Sequence, residues 1–271
     1  MTVISTVFSS SCVVHASDSF ITEHRQDGTF HVSESTRSKI VKVRQWRGAM
    51  TYWGLATFGS WSTWDWLNER ARLANRFASA EEFAVDTAEQ LERQLRGMHF
   101  TRPTDPGIGI HFSAYERQSD YWIPELFLIS NWSDVSYSAL RPNGVGMSRE
   151  THHTMTSEPP SDAHGALELR LKVHEFLLQG NLLIYNNGDP VLFNPAANGM
   201  ATMFIELARR GLSRTQQDTS KILAMARRPV EIVADAQRDF CDPGKRLVGG
   251  KAHDLAITPD GGYLSTTGDA D

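Results

Sequence analysis

The sequence lacks the long apolar run and the dense basic cluster that mark two large classes of protein. No stretch approaches the roughly 20 consecutive apolar residues of a membrane helix, and the N-terminus has neither the basic nor the unbroken apolar segment of a signal peptide. The 27 Lys and Arg residues are outnumbered by 32 Asp and Glu, so a nucleic-acid-binding surface is not expected. We therefore expect a cytoplasmic protein whose partners are neither membranes nor nucleic acids.

Cysteine is scarce, with two residues in a chain of 271. In a cytoplasmic protein both Cys12 and Cys241 are expected to be free thiols, not a disulfide. Five histidines are candidate metal ligands by residue type, but they show no helical His-x-x-x-His spacing: His152, His153, His164, His174 and His253. Dinucleotide-binding and Gly-x-Ser-x-Gly motifs are also absent. The sequence predicts no metal and no cofactor.

What the N-terminus does contain is two strand-like runs rich in Val, Ile and Thr. They extend from Thr2 to Phe8 and from Cys12 to Asp18, separated by three serines that read as a hairpin loop. If the loop is centred on Ser10, Thr2 lies directly across from Asp18, with Cβ atoms about 5 Å apart. A second hairpin is predicted to turn near Gln45 to Gly48. Two hairpins at the N-terminus imply an antiparallel sheet.

Helical and strand-like segments then alternate in blocks. Capping pairs at Ser62 and Ser79 predict one broken helix or two successive helices that end at Gly97. Next come two strands and a Ser/Pro/His-rich loop. They are followed by an ambiguous segment that favours a helix ending at Gly180, and by a further strand. Two more helical segments come next, the second interrupted at Pro229, and a closing strand ends the pattern. Segregated blocks of this kind favour an α+β fold with antiparallel sheets.

Thr2 is a candidate nucleophile. Met1 before a small residue is ordinarily removed, which leaves a threonine whose α-amino group stands beside its own hydroxyl. An α-amino group has a pKa near 8, so part of it is neutral at pH 7 and accepts the hydroxyl proton. A lysine held nearby, with Asp18 as its counter-ion, would keep this amine neutral. Lys39 and Lys42 are equally good candidates by composition, and Lys39→Ala is expected to abolish acylation while the fold stays intact.

Read from Thr2, "TVISTVFSSSCVVHASDSFIT" resembles the opening of proteasome β-subunits and their bacterial relatives, with a terminal Thr, a strand, a turn, a second strand and an Asp-Ser pair. The segment "SKIVKVRQWRGAMTYWGL" is similar to the family's lysine, strand, turn and small-residue bend. The resemblance implies that Asp18 and Lys39 are the family's aspartate and catalytic lysine. It also implies that a backbone N–H at Gly54, or at the neighbouring Trp53, belongs to the oxyanion hole.

The resemblance further implies an N-terminal nucleophile hydrolase fold, a four-layer αββα sandwich of two antiparallel sheets between helices. On this basis the chain is expected to form a single domain over residues 1–258, with an insertion near 146–187 and a flexible tail over 259–271. The expected activity is threonine-type hydrolysis of peptide or amide bonds, and the expected substrate is a peptide or an unfolded protein.

Two alternatives stay open. Val248 occupies the place where the family has a second serine, which favours a catalytically inactive structural or regulatory subunit on the same fold. A small-molecule amidase would keep the nucleophile and draw its pocket from the insertion. The resemblance also implies a homo-oligomer of at least six subunits that forms a ring. Three tryptophans near one helix start either leave at least one aromatic ring for the surface or all pack under the insertion: Trp61, Trp64 and Trp66. An ATPase partner is not indicated.

Overall fold

The structure is a computed structural model of the chain. It describes residues 3–24, 30–34, 37–98, 107–118, 120–132, 144–156, 160–188, 193–210, 218–242 and 245–267. The strands are β1 Ile4–Phe8, β2 Val13–Ser17, β3 Phe20–His24, β4 Phe30–Glu34, β5 Ile40–Val43, β6 Gly48–Gly54, β7 Thr57–Phe58, β8 Trp61–Ser62, β9 Ile108–Gln118, β10 Tyr121–Ser130, β11 Gly146–Arg149, β12 Leu183–Asn187, β13 His253–Ile257 and β14 Tyr263–Leu264. The α-helices are α1 Thr63–Leu73, α2 Ala80–Gly97, α3 Glu150–Met155, α4 Ala163–Leu178, α5 Phe193–Arg209 and α6 Thr219–Phe240.

The first sheet has the strand order β12-β1-β2-β13-β14, and all its neighbouring strands are antiparallel. The predicted β1–β2 hairpin is confirmed, but its predicted register is wrong by one residue. Ser9 N donates to Cys12 O at 3.0 Å, and Ser9 Oγ accepts from Cys12 N at 3.1 Å. These bonds close the turn over Ser10 and Ser11 alone, so Asp18 lies opposite Val3 and not opposite Thr2, which lies outside the described residues.

The second sheet has the order β11-β10-β9-β6-β5 and is also antiparallel. Its β5–β6 hairpin turns through a 3-10 helix at Arg44–Trp46 and through Arg47, which adopts a left-handed conformation with φ 44°. The predicted turn near Gln45 to Gly48 is therefore confirmed. A smaller sheet has the order β4-β3-β7-β8, in which β3 and β7 run parallel.

Three apolar clusters define the layers. Val14 and Ala256 of the first sheet pack against Val230 of α6. Phe112 and Phe127 of the second sheet belong to a cluster with side chains of α1 and α2. A third cluster lies between the sheets and includes the apolar residues Phe8, Val13, Tyr115, Leu126 and Leu255, with α4 contributing Val173 and Leu177. The predicted α+β class with antiparallel sheets is confirmed.

Local signals located the helices well. Ser62 Oγ accepts from Asp65 N at the start of α1, and Ser79 Oγ accepts from Glu82 N at the start of α2. The ambiguous segment forms α4 as favoured. In contrast, α6 continues through Pro229 without a break.

The segments predicted as a loop and as a tail contain regular structure. Strand β11 and helix α3 lie within the predicted Ser/Pro/His-rich loop. Strands β11 and β12, within the segment 146–187, pair with β10 and β1 at the edges of the two large sheets. Strand β14 lies within the predicted tail and pairs with β13, because Asp254 accepts hydrogen bonds from Ser265 and from Thr266 N that hold the chain against the sheet. In the part of the chain that is described, no helix combines the length and apolarity needed to cross a membrane.

Candidate functional site

The structure brings two of the predicted site residues into direct contact. Lys39 Nζ lies 2.8 Å from Asp18 Oδ1, and both side chains are buried. Asp18 follows β2 of the first sheet, while Lys39 precedes β5 of the second sheet. The ion pair therefore joins the two sheets at one end of the space between them.

Backbone amides complete the surroundings of the Asp18 carboxylate. Val3 N donates to its Oδ1 and Gly249 N donates to its Oδ2, each at 3.3 Å. Thr2 lies outside the described residues, but Val3 N is the amide nitrogen bonded to its carbonyl carbon. The carboxylate is thus fixed at the peptide bond that follows the predicted nucleophile.

Burial dominates the ionisation of this pair. It lowers the pKa of the Lys39 ammonium and raises the pKa of the Asp18 carboxyl, and their mutual attraction opposes both shifts. The pair therefore has the electrostatic character of a functional site as well as that of a structural contact.

The structure distinguishes the two candidate lysines. Lys42 is half-buried, and its Nζ lies 5.4 Å from the centre of the Tyr263 ring. Lys39, not Lys42, contacts Asp18. Composition could not make this choice, because it depends on which sheet face each lysine occupies.

The predicted oxyanion bend lies at the same end of the β5–β6 hairpin as Lys39. Ile40 pairs with Thr51, so Lys39 is level with Tyr52 of β6, one residue before Trp53 and two before Gly54. Gly54 has φ +87°, and a Cβ there would lie 1.9 Å from Gly107 O. The bend therefore requires glycine on both steric and conformational grounds.

A buried glutamine that the sequence reasoning missed holds the segment that reaches Asp18. Gln237 of α6 accepts hydrogen bonds at its Oε1 from Leu247 N at 2.7 Å and from Val248 N at 2.9 Å. The next amide along the chain is Gly249 N. The only sequence signal was one polar residue on an otherwise apolar face of α6.

A second set of hydrogen-bonded polar side chains crosses the space between the sheets, and it was not predicted from the sequence. Thr6 Oγ1 lies 3.2 Å from His15 Nδ1 and 2.8 Å from His111 Nδ1. His15 Nε2 lies 2.6 Å from Ser113 Oγ, and His111 Nε2 contacts Asn187 Oδ1. Burial lowers the pKa of His15 to about 3 and that of His111 to about 4, so both rings are neutral at pH 7. The sequence signal for this group was a set of polar residues at positions of otherwise apolar strands that face the space between the sheets.

The segment 146–187 forms a separate polar cluster around the buried Glu125 of β10. Arg170 Nε lies 3.1 Å from Glu125 Oε1, Arg149 Nε lies 3.8 Å from its Oε2, and Thr151 Oγ1 donates to Oε2 at 2.7 Å. Burial alone would raise the pKa of this carboxyl, but the contact with His152 and the two arginines outweigh burial and lower it.

A pocket of about 600 Å³ adjoins this cluster, and its lining includes Arg149, His152 and Arg170. Neither Asp18 nor Lys39 belongs to the lining. The segment therefore does form a pocket, as the amidase alternative requires, but not one lined by this ion pair.

Within the described ranges, no group of three or more His, Cys, Asp or Glu side chains is arranged to hold a metal ion. Cys12 and Cys241 are free thiols. No protein-family model matches the chain, and no curated protein matches it either.

Proposed function

We propose that the protein is a threonine-type N-terminal nucleophile hydrolase that cleaves peptide or amide bonds through an acyl-enzyme on Thr2, after removal of Met1. The observation that carries the proposal is the buried Asp18–Lys39 ion pair, whose carboxylate accepts a hydrogen bond from Val3 N. A buried ion pair is costly to form, and this one is held at the residue next to the predicted nucleophile.

The proposed fold is the four-layer αββα sandwich of proteasome-like hydrolases. Its support is the packing of α6 on one sheet and of α1 and α2 on the other, with a third apolar cluster between the sheets. The proposed substrate is a peptide or an unfolded protein, and the proposed location is the cytoplasm.

In the proposed mechanism the Thr2 amine takes the hydroxyl proton as Thr2 Oγ attacks the substrate carbonyl. The Lys39 ammonium disfavours a second positive charge nearby and so keeps the free amine neutral, and Asp18 holds Lys39 in place. A backbone N–H of the Trp53–Gly54 bend stabilises the oxyanion. The protonated amine then gives its proton to the leaving amine, and water hydrolyses the ester to restore Thr2.

A catalytically inactive structural or regulatory subunit is the second candidate. It is favoured by Val248, a buried apolar side chain where the resemblance expects a serine. The small-molecule amidase shares the nucleophile of the first proposal, and only a substrate screen separates the two.

Intact-mass analysis with a threonine-directed peptide β-lactone tests the proposal. We expect wild-type protein to have lost Met1 and to gain the mass of one acyl group, whereas Thr2→Ala gains none. Correctly processed wild-type protein that remains unlabelled would favour the inactive subunit. Active protein that retains Met1 would exclude the mechanism, because its base would not exist.

The ion pair changes how Lys39 is best tested. Lys39→Ala leaves the Asp18 carboxylate buried without its cation, which costs about 3–5 kcal/mol of folding free energy. This variant is therefore expected to be destabilised, contrary to the expectation from the sequence alone. The double variant Lys39→Met with Asp18→Asn removes both charges together. We expect it to fold and not to be acylated, while the matched control Lys42→Met is labelled like the wild type. Normal labelling of the folded double variant would remove the pair from the mechanism.

A further inference from the structure

The polar group between the sheets forms one continuous hydrogen-bonded chain. Its members are Ser113, His15, Thr6, His111 and Asn187, and they come from strands of both large sheets. The four residues other than Asn187 are at most 1% exposed. A buried chain of this length is stabilising only if every member is satisfied.

One arrangement of protons satisfies every ring nitrogen. With Asn187 Oδ1 as an acceptor, His111 Nε2 donates and its Nδ1 accepts from the Thr6 hydroxyl. Thr6 Oγ1 then accepts from His15 Nδ1, and His15 Nε2 accepts from Ser113. Both nitrogens of His111 are bonded to fixed partners, so its ring cannot rotate without breaking a buried hydrogen bond.

The fixed ring of His111 lies against Trp53. The two ring centres are 5.6 Å apart with an interplanar angle of 70°, an edge-to-face contact. The Trp53 ring also covers Gly109, where a Cβ would lie 1.8 Å from the ring. The indole thus contacts both a fixed imidazole and a glycine backbone, and the next residue is Gly54 of the bend.

We infer that His111 is a positioning residue, which the hydrogen-bonded chain holds against Trp53 and which thereby sets the position of the Trp53–Gly54 bend. Its catalytic consequence rests on the proposed function, in which this bend stabilises the oxyanion. A displaced bend would slow the chemical step more than substrate binding, because oxyanion contacts strengthen in the transition state.

The test uses His111→Gln, whose amide can still bond to Thr6 and Asn187 but has no ring to pack against Trp53. We expect its maximal rate of acylation by the peptide β-lactone to fall about 10- to 100-fold, with little change in the half-saturating concentration. The Trp53 indole N–H signal in the NMR spectrum, assigned with Trp53→Phe, should shift. His164→Gln is the matched control, because the His164 side chain is 79% exposed and lies outside the hydrogen-bonded chain, so it should change neither readout.

Asn187→Ala is a milder second variant, because it keeps the ring and releases only its Nε2–H. We expect it to broaden the Trp53 signal and to slow acylation less than His111→Gln does. An unmoved Trp53 signal in folded His111→Gln would overturn the inference, with or without hydrolase activity. If the wild type is never acylated while the signal does move, the hydrolase proposal fails and the positioning role stands.

Discussion

The two histidines between the sheets make the protein sensitive to acid. Burial lowers the pKa of His15 to about 3 and that of His111 to about 4, whereas an unfolded histidine has a pKa near 6.5. Below that pH the unfolded chain binds more protons than the folded one. The free energy of unfolding should therefore fall as the pH drops from about 6.5 towards 4, by up to about 1.4 kcal/mol per pH unit for each ring.

Urea unfolding between about pH 7.5 and about pH 4.5, a range that brackets the titration of an unfolded histidine, measures this dependence. The double variant His15→Leu with Ser113→Ala removes one buried ring and its partner hydroxyl, so its profile should be less steep than that of the wild type. His164→Gln is the control, because the His164 side chain is 79% exposed, and it should follow the wild type. Equal slopes for the double variant and the wild type would contradict the prediction.

Single side chains also show which part of the site could be predicted from the sequence. Asp18 and Lys39 were identified through a resemblance of residue type and spacing, and the structure places them in contact. Gln237 and the Gly249 amide could not be identified, because each acts through a contact that only the folded chain creates. The choice between Lys39 and Lys42 likewise required knowing which sheet face each one occupies.

For helices and strands, the accuracy of prediction follows the range of the interactions. The caps of α1 and α2 were predicted because Ser62 and Ser79 bond to amides three residues away. The register of β1 and β2 was not predicted correctly, because it depends on whether Ser9 belongs to the loop or closes it. One side-chain hydrogen bond to Cys12 N shifts every cross-strand pair by one residue.

The attachment of α3 and α4 to the second sheet depends on the buried carboxylate of Glu125. Glu125→Ala leaves Arg149 and Arg170 facing a buried site without their shared carboxylate. We expect a loss of about 3–5 kcal/mol in the free energy of unfolding. Amide hydrogen exchange should increase first in α3 and α4, since these helices lose their link to β10.

Glu168→Ala is the matched control for this variant, because Glu168 lies on α4 with a side chain that is 58% exposed. Removing an exposed carboxylate of this kind changes stability by about 0–1 kcal/mol. If Glu125→Ala were no less stable than Glu168→Ala, or if exchange increased evenly over the whole chain, Glu125 would not hold these helices.

For the chain as a whole, the alternation of strand and helix blocks was sufficient to predict the α+β class. It was not sufficient to predict which segments complete the sheets. Strand β11 comes from the segment predicted as a loop, and β12, although predicted as a strand, falls in the segment predicted as an insertion. Both lie at the edges of the two large sheets. Which sheet edge a strand joins depends on its pairing with a strand distant in the sequence, which no local pattern encodes.

The three tryptophans near the start of α1 are not the exposed rings expected at a subunit contact. Trp66 is buried, and Trp61 and Trp64 are half-buried against the core, so none of the three is an exposed ring. Exposed apolar side chains occur instead on α5, at Met203 and Ile205, which are 50% and 62% exposed. We expect a homo-oligomer of at least six subunits, as the resemblance implies. Light scattering at micromolar concentration measures it, and a particle of 30.3 kDa would contradict the ring.

The hydrogen bond from Gly249 N to Asp18 also has a consequence for the order of events during synthesis. Its partners are 231 residues apart, so at ribosomal rates Gly249 is made on the order of 10 to 50 s after Asp18. Lys39 follows Asp18 within about 5 s at the same rates. For most of translation, the chain therefore contains the cation that pairs with this carboxylate but not yet the amide that completes its surroundings. Under the proposed function, a nascent chain stays inactive until the approach to β13 has been synthesised, which delays hydrolysis until nearly the whole fold is available.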